Sequence, residues 1–198
     1  AQREGRTKDG NDITQKGVLK MLTLSEDGKN PFGYFEKIKL VPISISYEYD
    51  PTDILKMPEI LAKSRDEKYI KHENEDFVNL LRGLLGTKKR IHIQVNGVLD
   101  EEIREISALE VPLTEKFTQL ATIIDHKIWG GYKLWPSNYI AHDLLYGNVQ
   151  FVSSYTSEEK SAFENRLLSK VDTSNQLLVK SFLSMYAYPV DNSLKSQG

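Results

Sequence analysis

Near its start the chain reads Arg3-Glu4-Gly5-Arg6-Thr7, with Lys8 and Lys16 close behind. These are residue types that grip an oxyanion. Glycine lets backbone amides come close to a ligand, a guanidinium offers a fork that fits phosphate, and a threonine hydroxyl adds a bond. Glu4, set among Arg3, Arg6, Lys8 and Lys16, would be held ionised and would accept a hydrogen bond from a hydroxyl. A helix expected from about Ile13 to Leu24, capped by Asn11 or Asp12, would add its positive dipole end. The plainer reading of the same residues is a solvated, charged loop.

Other chemistry is thinly represented. The chain has no cysteine, which removes disulfides, thiolate catalysis and thiolate-bound zinc and fits a reducing compartment. His126 follows Asp125, and His142 precedes Asp143. Adjacent residues of a helix point about 100° apart, so these pairs read as ordinary surface or groove histidines. Trp129, Tyr132, Trp135, Tyr139 and Tyr146 fit the packing of a helical hairpin better than a membrane interface, since no basic face accompanies them. Lys88-Lys89-Arg90 reads as a solvated turn.

The elements that must position these residues fall into two stretches. Residues 38 to 49 are nearly continuous in apolar character up to Ile45, which predicts a strand covered on both faces in a parallel or mixed sheet. Pro42 cannot donate to a ladder and marks a bulge or a bend toward a site. Helical patterns follow at residues 57 to 72 and 77 to 85, the second with Phe77, Leu80, Leu81, Leu84 and Leu85 as a core-facing stripe. Ile91 to Val95 alternates as a strand, with Asn96-Gly97 as its turn. Beyond about residue 100 the pattern is helical. Two helices span 113 to 148, broken near Gly130-Gly131 and Pro136. A third, capped by Ser157 or by Thr156 with Glu159, runs to about Val171, and a last one from Ser174 is stopped by Pro189, with a frayed tail from Asp191. The expected fold class is therefore α/β followed by an all-α region, with domains at 1–105 and 106–198.

Size and composition fit a folded domain: 198 residues, 39% hydrophobic and 27% charged. The net charge of −2 argues against a nucleic-acid binder held by phosphate contacts. No apolar run approaches the length of a membrane span, and no signal peptide is evident. Ala1 is not an initiator methionine, so a processed chain or a piece of a longer one is expected.

The order Glu4-Gly5-Arg6-Thr7, then Gln15-Lys16-Gly17-Val18-Leu19, then Val41-Pro42-Ile43-Ser44-Ile45-Ser46-Tyr47-Glu48 resembles the third and fourth sequence blocks of the glycerol-3-phosphate and 1-acylglycerol-3-phosphate acyltransferase family. Residues 91 to 99 are similar to the last sheet strand of these enzymes, and residues 133 to 140 to the C-terminal region of a Bacteroidetes-type branch. The resemblance implies that this is the C-terminal portion of an acyltransferase α/β domain with a helical extension. It also implies that Glu4, Gly5, Arg6 and Thr7 bind the acceptor and its phosphate, with Val41 and Pro42 lining the site. Arg6 stands one position earlier than the family's usual arginine, and Thr7 replaces its usual serine.

The family's catalytic pair is a histidine base and an aspartate separated by four residues. The fifth residues after His72, His92, His126 and His142 are Phe77, Gly97, Gly131 and Gly147, so that block is not in these 198 residues and would lie upstream. The implied reaction moves a fatty acyl group from acyl-CoA or acyl carrier protein to a hydroxyl of glycerol 3-phosphate or its monoacyl ester, in phospholipid biosynthesis. No metal or organic cofactor is implied. Its partners are the acyl thioester donor and a glycerol-phosphate-type acceptor. The implied place is the cytoplasm, with peripheral contact at the inner membrane. On its own the chain is expected to be inactive. The alternative is a non-catalytic helical interaction or regulatory module with a vestigial anion-binding loop.

Overall fold

The computed structural model describes residues 10–11, 13–24 and 30–197. It overturns the α/β expectation: 62% of the described residues are helical, and they contain only a two-stranded antiparallel sheet. The elements are α1 (Lys16–Leu22), α2 (Pro31–Ile38), β1 (Ile43–Tyr47), α3 (Met57–Ser64), α4 (Glu75–Leu85), β2 (Ile91–Val95), α5 (Asp100–Ala108), α6 (Leu113–Gly130), α7 (Pro136–Tyr146), α8 (Ser157–Lys170) and α9 (Gln176–Lys195). No helix among the described residues is long and apolar enough to cross a membrane.

The sheet is where sequence reasoning went furthest astray. Ile43 lies opposite Val95, Ile45 opposite Ile93 and Tyr47 opposite Ile91. Alternate strand residues share a face, so these six apolar side chains form one surface, and all six are exposed. The other face is polar and turned inward. Ser44 is fully buried and donates to the Ile128 carbonyl of α6 at 2.7 Å. Ser46 accepts the Lys133 amide at 3.1 Å. What read as a run of apolar residues covered on both sides is an amphipathic ribbon with its serines facing the protein. Pro42 sits just outside β1, so it removes no ladder bond; its carbonyl accepts the Asn96 amide at 3.0 Å and the Asn96 side chain at 3.1 Å. Asn96-Gly97 makes no hairpin, because the chain runs on into α5.

Two aromatic cores sit in the helical body. In one, Phe163 of α8 meets Phe182 and Tyr186 of α9 at ring-centroid distances of 5.9 and 5.2 Å, over Ile140 and Ala141 of α7. In the other, Phe32 and Phe35 of α2 pack on Phe117 of α6, beside Leu99 and Ile103. The second core joins residues from both sides of the 105/106 boundary expected from the sequence. α2 itself escaped the sequence reading; Asn30, whose side chain accepts the Gly33 amide, and Pro31 in its first turn start it.

Helix termini follow local chemistry. Of the two caps expected for α8, Ser157 or Thr156 with Glu159, the Thr156–Glu159 capping box is the one formed. α9 starts two residues later than read, at Gln176, with Asn175 accepting the amides of Leu177 and Leu178. It also runs through Pro189 to Lys195 instead of stopping. A proline inside a helix removes the bond to the carbonyl four residues back, here that of Met185. Burial of Val190 and Asn192, each 1% exposed, keeps the helix going, so the expected frayed tail is packed.

Candidate functional site

The freed carbonyl of Met185 lies beside Gly10 at the edge of a cleft. Gly10 has φ +78°; a Cβ there would come within 2.5 Å of the Met185 oxygen. Only glycine fits both the left-handed backbone and that approach. From this rim opens a cleft of about 320 Å³, bounded by Ile45–Tyr47 of β1, by residues 50 to 52, by Gly83 of α4, by residues 132 to 134, and by Met185, Tyr186 and Pro189 of α9.

Its polar wall is pre-set by internal bonds. Tyr186 is buried, donates to Asp53 Oδ2 at 2.8 Å and accepts the Asp50 amide at 3.1 Å. Burial, and then the Asp53 charge, push its hydroxyl well above the ordinary tyrosine value, so it stays protonated and donating. Arg166 of α8 closes the triad, reaching Asp53 Oδ2 at 2.7 Å while its guanidinium stacks on Tyr49 at 4.5 Å. Asn138 donates to the Tyr186 carbonyl at 2.9 Å and accepts the Trp135 amide at 2.8 Å. Asp50 accepts the Thr52 amide and hydroxyl at 2.7 and 2.8 Å. The exposed Lys133 supplies a cation to the cleft. Hydroxyl, amide, carboxylate and ammonium groups thus share one lining, which suits holding a small polar ligand.

Of the residues expected to form the site, Glu4, Gly5, Arg6 and Thr7 lie outside the described residues. Val41 is 38% exposed and Pro42 is buried under Asn96; neither is among the residues lining the cleft. The expected dipole end at Ile13 is absent, because α1 starts only at Lys16 and has seven residues. Thr14 ahead of it is tied to α6 instead, its amide and hydroxyl both donating to Asp125 Oδ1 at 2.9 and 2.5 Å. Ser46, Lys133 and Tyr186 were not singled out from the sequence. Pro189 was the one visible sign of them, had it been read as a break in a continuing helix.

A second ionic cluster lies just past the end of β1. Glu48, 6% exposed, takes Arg90 Nε at 2.8 Å and Lys89 Nζ at 3.5 Å. Burial alone would raise its carboxyl, but the Arg90 hydrogen bond and the two cations outweigh that and hold it below the ordinary value. Arg90 also stacks on Trp135 at 4.7 Å. So Lys89 and Arg90 are exposed, as a solvated turn would be, yet both are bound to Glu48.

No group of three His, Cys, Asp or Glu side chains that could hold a metal ion occurs among the described residues. His126 is exposed and stacks on Trp129 at 5.6 Å. His142 corrects the surface reading: it is buried between α7 and α9, with Nε2 3.3 Å from Asp191 and Nδ1 3.8 Å from Asp143. Set against protein-family models, curated proteins and solved structures, the chain matches none.

Proposed function

We propose that this chain is a portion of an O-acyltransferase that moves a fatty acyl group from acyl-CoA or acyl carrier protein to a hydroxyl of glycerol 3-phosphate or its 1-acyl ester. Its own task is to hold the acceptor. The observation that carries the reading is Gly10 on the rim of the cleft, facing Ile45–Tyr47 of β1. Arg6 is four residues before Gly10, at most about 14 Å of extended chain. The Glu4-Gly5-Arg6-Thr7 sequence is therefore tethered within reach of a cleft that already contains Lys133. Arg6 and Lys133 take the acceptor phosphate, and Glu4 orients a hydroxyl. Val41 and Pro42 act at one remove, the Asn96 bonds to Pro42 fixing where β1 begins.

The chemistry is attack of the acceptor hydroxyl on the thioester carbonyl, collapse of the tetrahedral adduct, and departure of the thiolate. The hydroxyl proton goes to a histidine base of the His-x4-Asp block, which these 198 residues do not supply. The acylated product is a lipid, which sets the reaction at a membrane surface. Two experiments test the reading: an acyl-transfer assay on the full gene product with several acceptors, and Arg6→Ala in it. The variant should raise the KM for glycerol 3-phosphate about tenfold or more, the size of one lost charge-assisted bond. An unchanged KM removes Arg6 from the phosphate site.

The second reading, a non-catalytic interaction module, is favoured by the outward apolar faces of the ribbon and of α4. Acyl transfer by the full gene product decides against it.

A further inference from the structure

Two apolar faces of this chain are open, and they fit each other. One is the outer face of the ribbon: Ile43, Ile45, Tyr47, Ile91, Ile93 and Val95, each 39–62% exposed. The other is the stripe of α4: Phe77, Leu80, Leu81, Leu84 and Leu85, each 38–80% exposed, on a helix with no buried residue. α4 rests on the Pro51-Thr52 turn through its glycines; a Cβ at Gly86 would meet Pro51, and one at Gly83 would meet Thr52. This seating turns the leucines outward.

Each face leaves on the order of 500 Å² of apolar surface open, at the upper end of the roughly 300–600 Å² of a monomer's largest patch, and the two together offer about twice that. About 800 Å² per partner is enough for a stable complex. Their lengths match: 11 residues of helix span about 16 Å and five of strand about 17 Å. Their flanks keep opposite signs after internal pairing: Glu75 and Asp76 open α4 with Lys71 on Asp76 at 2.7 Å, while Lys89 and Arg90, which share the one carboxylate of Glu48, lead into β2. The Asp76, Lys89 and Arg90 side chains are all about half exposed or more. The same charges argue against a lipid surface, since α4 has a single cation, Arg82, beside its two acids.

We infer that the occupant of these faces is a second copy of this chain, α4 of each protomer lying on the β1–β2 face of the other about a two-fold axis. Such an isologous exchange buries both patches twice and leaves no apolar face to propagate. The inference does not rest on the acyl-transfer reading, although Ile45 and Tyr47 belong both to this face and to the wall of the cleft.

The test is sedimentation equilibrium or light scattering on the 198-residue chain and two variants, Leu84→Asp and Ile93→Asp. At about 10 μM the parent should have a mass of about 45 kDa, twice 22.7 kDa. Each variant should be monomeric, its association weakened about 100-fold or more. A mixture of the two should pair again, because one intact α4 and one intact ribbon remain to form a single joint. Both positions are exposed, so each variant should keep the parent's far-ultraviolet spectrum and melt within a few degrees of its monomer. A parent that stays monomeric, a dimer indifferent to both substitutions, or variants that fail to pair on mixing overturns the inference. So does a monomeric parent that binds phosphatidylcholine–phosphatidylglycerol vesicles and loses them on Leu84→Asp, which would assign the faces to lipid.

Discussion

The body formed by α6 to α9 and the ribbon with α4 use the same kind of sequence pattern to opposite ends. In the body, apolar periodicity closes on itself: Phe163, Phe182, Phe117 and Leu120 are 0–2% exposed. In the ribbon and α4 the periodicity is as regular, yet every apolar stripe faces out. The difference lies in what lies behind each face. Ser44 and Ser46 are fastened to α6 and to the Lys133 amide, and Gly83 and Gly86 let α4 sit on its polar side. Hydrogen bonds and small residues decided which way these elements face. Hydrophobicity alone gives a helix or strand a face to bury but not the partner that covers it.

The contrast predicts unequal responses to substitution. Phe182→Ala, at the centre of the body, should cost about 3–5 kcal/mol in denaturant unfolding. Asp53→Ala should cost about 3 kcal/mol, because it leaves Arg166 buried without its carboxylate and Tyr186 without its acceptor. Gly10→Ala should cost about 1–3 kcal/mol through its positive φ and the Met185 carbonyl. If Gly10→Ala proves neutral, the cleft rim is not where Gly10 sits. Leu84→Asp should change the stability of the monomer by no more than about 0.5 kcal/mol. A loss of several kcal/mol there would mean that α4 is buried within one chain, and the two regions would no longer differ.

The smallest effect is electrostatic. The Glu48 carboxyl titrates lower in the folded chain than its ordinary 4.5. The unfolded chain therefore binds the proton more readily. The contribution of Glu48 to stability is complete above that ordinary value and is lost as pH falls through the lowered folded value. Unfolding free energies of the parent and Glu48→Gln should converge in that acid window. A gap that persists unchanged would mean that Arg90 and Lys89 do not act on the charged form.

Most helices after residue 112 were legible because their signals are local: the Thr156–Glu159 box, the Gly130-Gly131 break, and Pro136 at the start of α7. The α/β class was not legible. An apolar run at residues 38 to 45 looks the same whether a strand is covered twice or forms one edge of a ribbon, and only tertiary bonds to Ser44 settle it. Pro189 misled in the other direction, since tertiary burial of Val190 and Asn192 outweighs one lost helix bond. The cleft was hidden for a related reason. Its lining comes from segments more than a hundred residues apart, and its polar groups, Ser46, Tyr186 and Asn138, have no shared local pattern.

The most direct measurement is a titration of the ¹⁵N-labelled chain with glycerol 3-phosphate, followed amide by amide. The acceptor-holding account predicts shifts at Gly10, Ser46 and Lys133 that saturate together and are lost in Arg6→Ala, with inorganic phosphate competing. If those amides stay unmoved at about 10 mM ligand, weaker than any affinity of use to an enzyme, the chain does not hold a glycerol phosphate and the account is wrong.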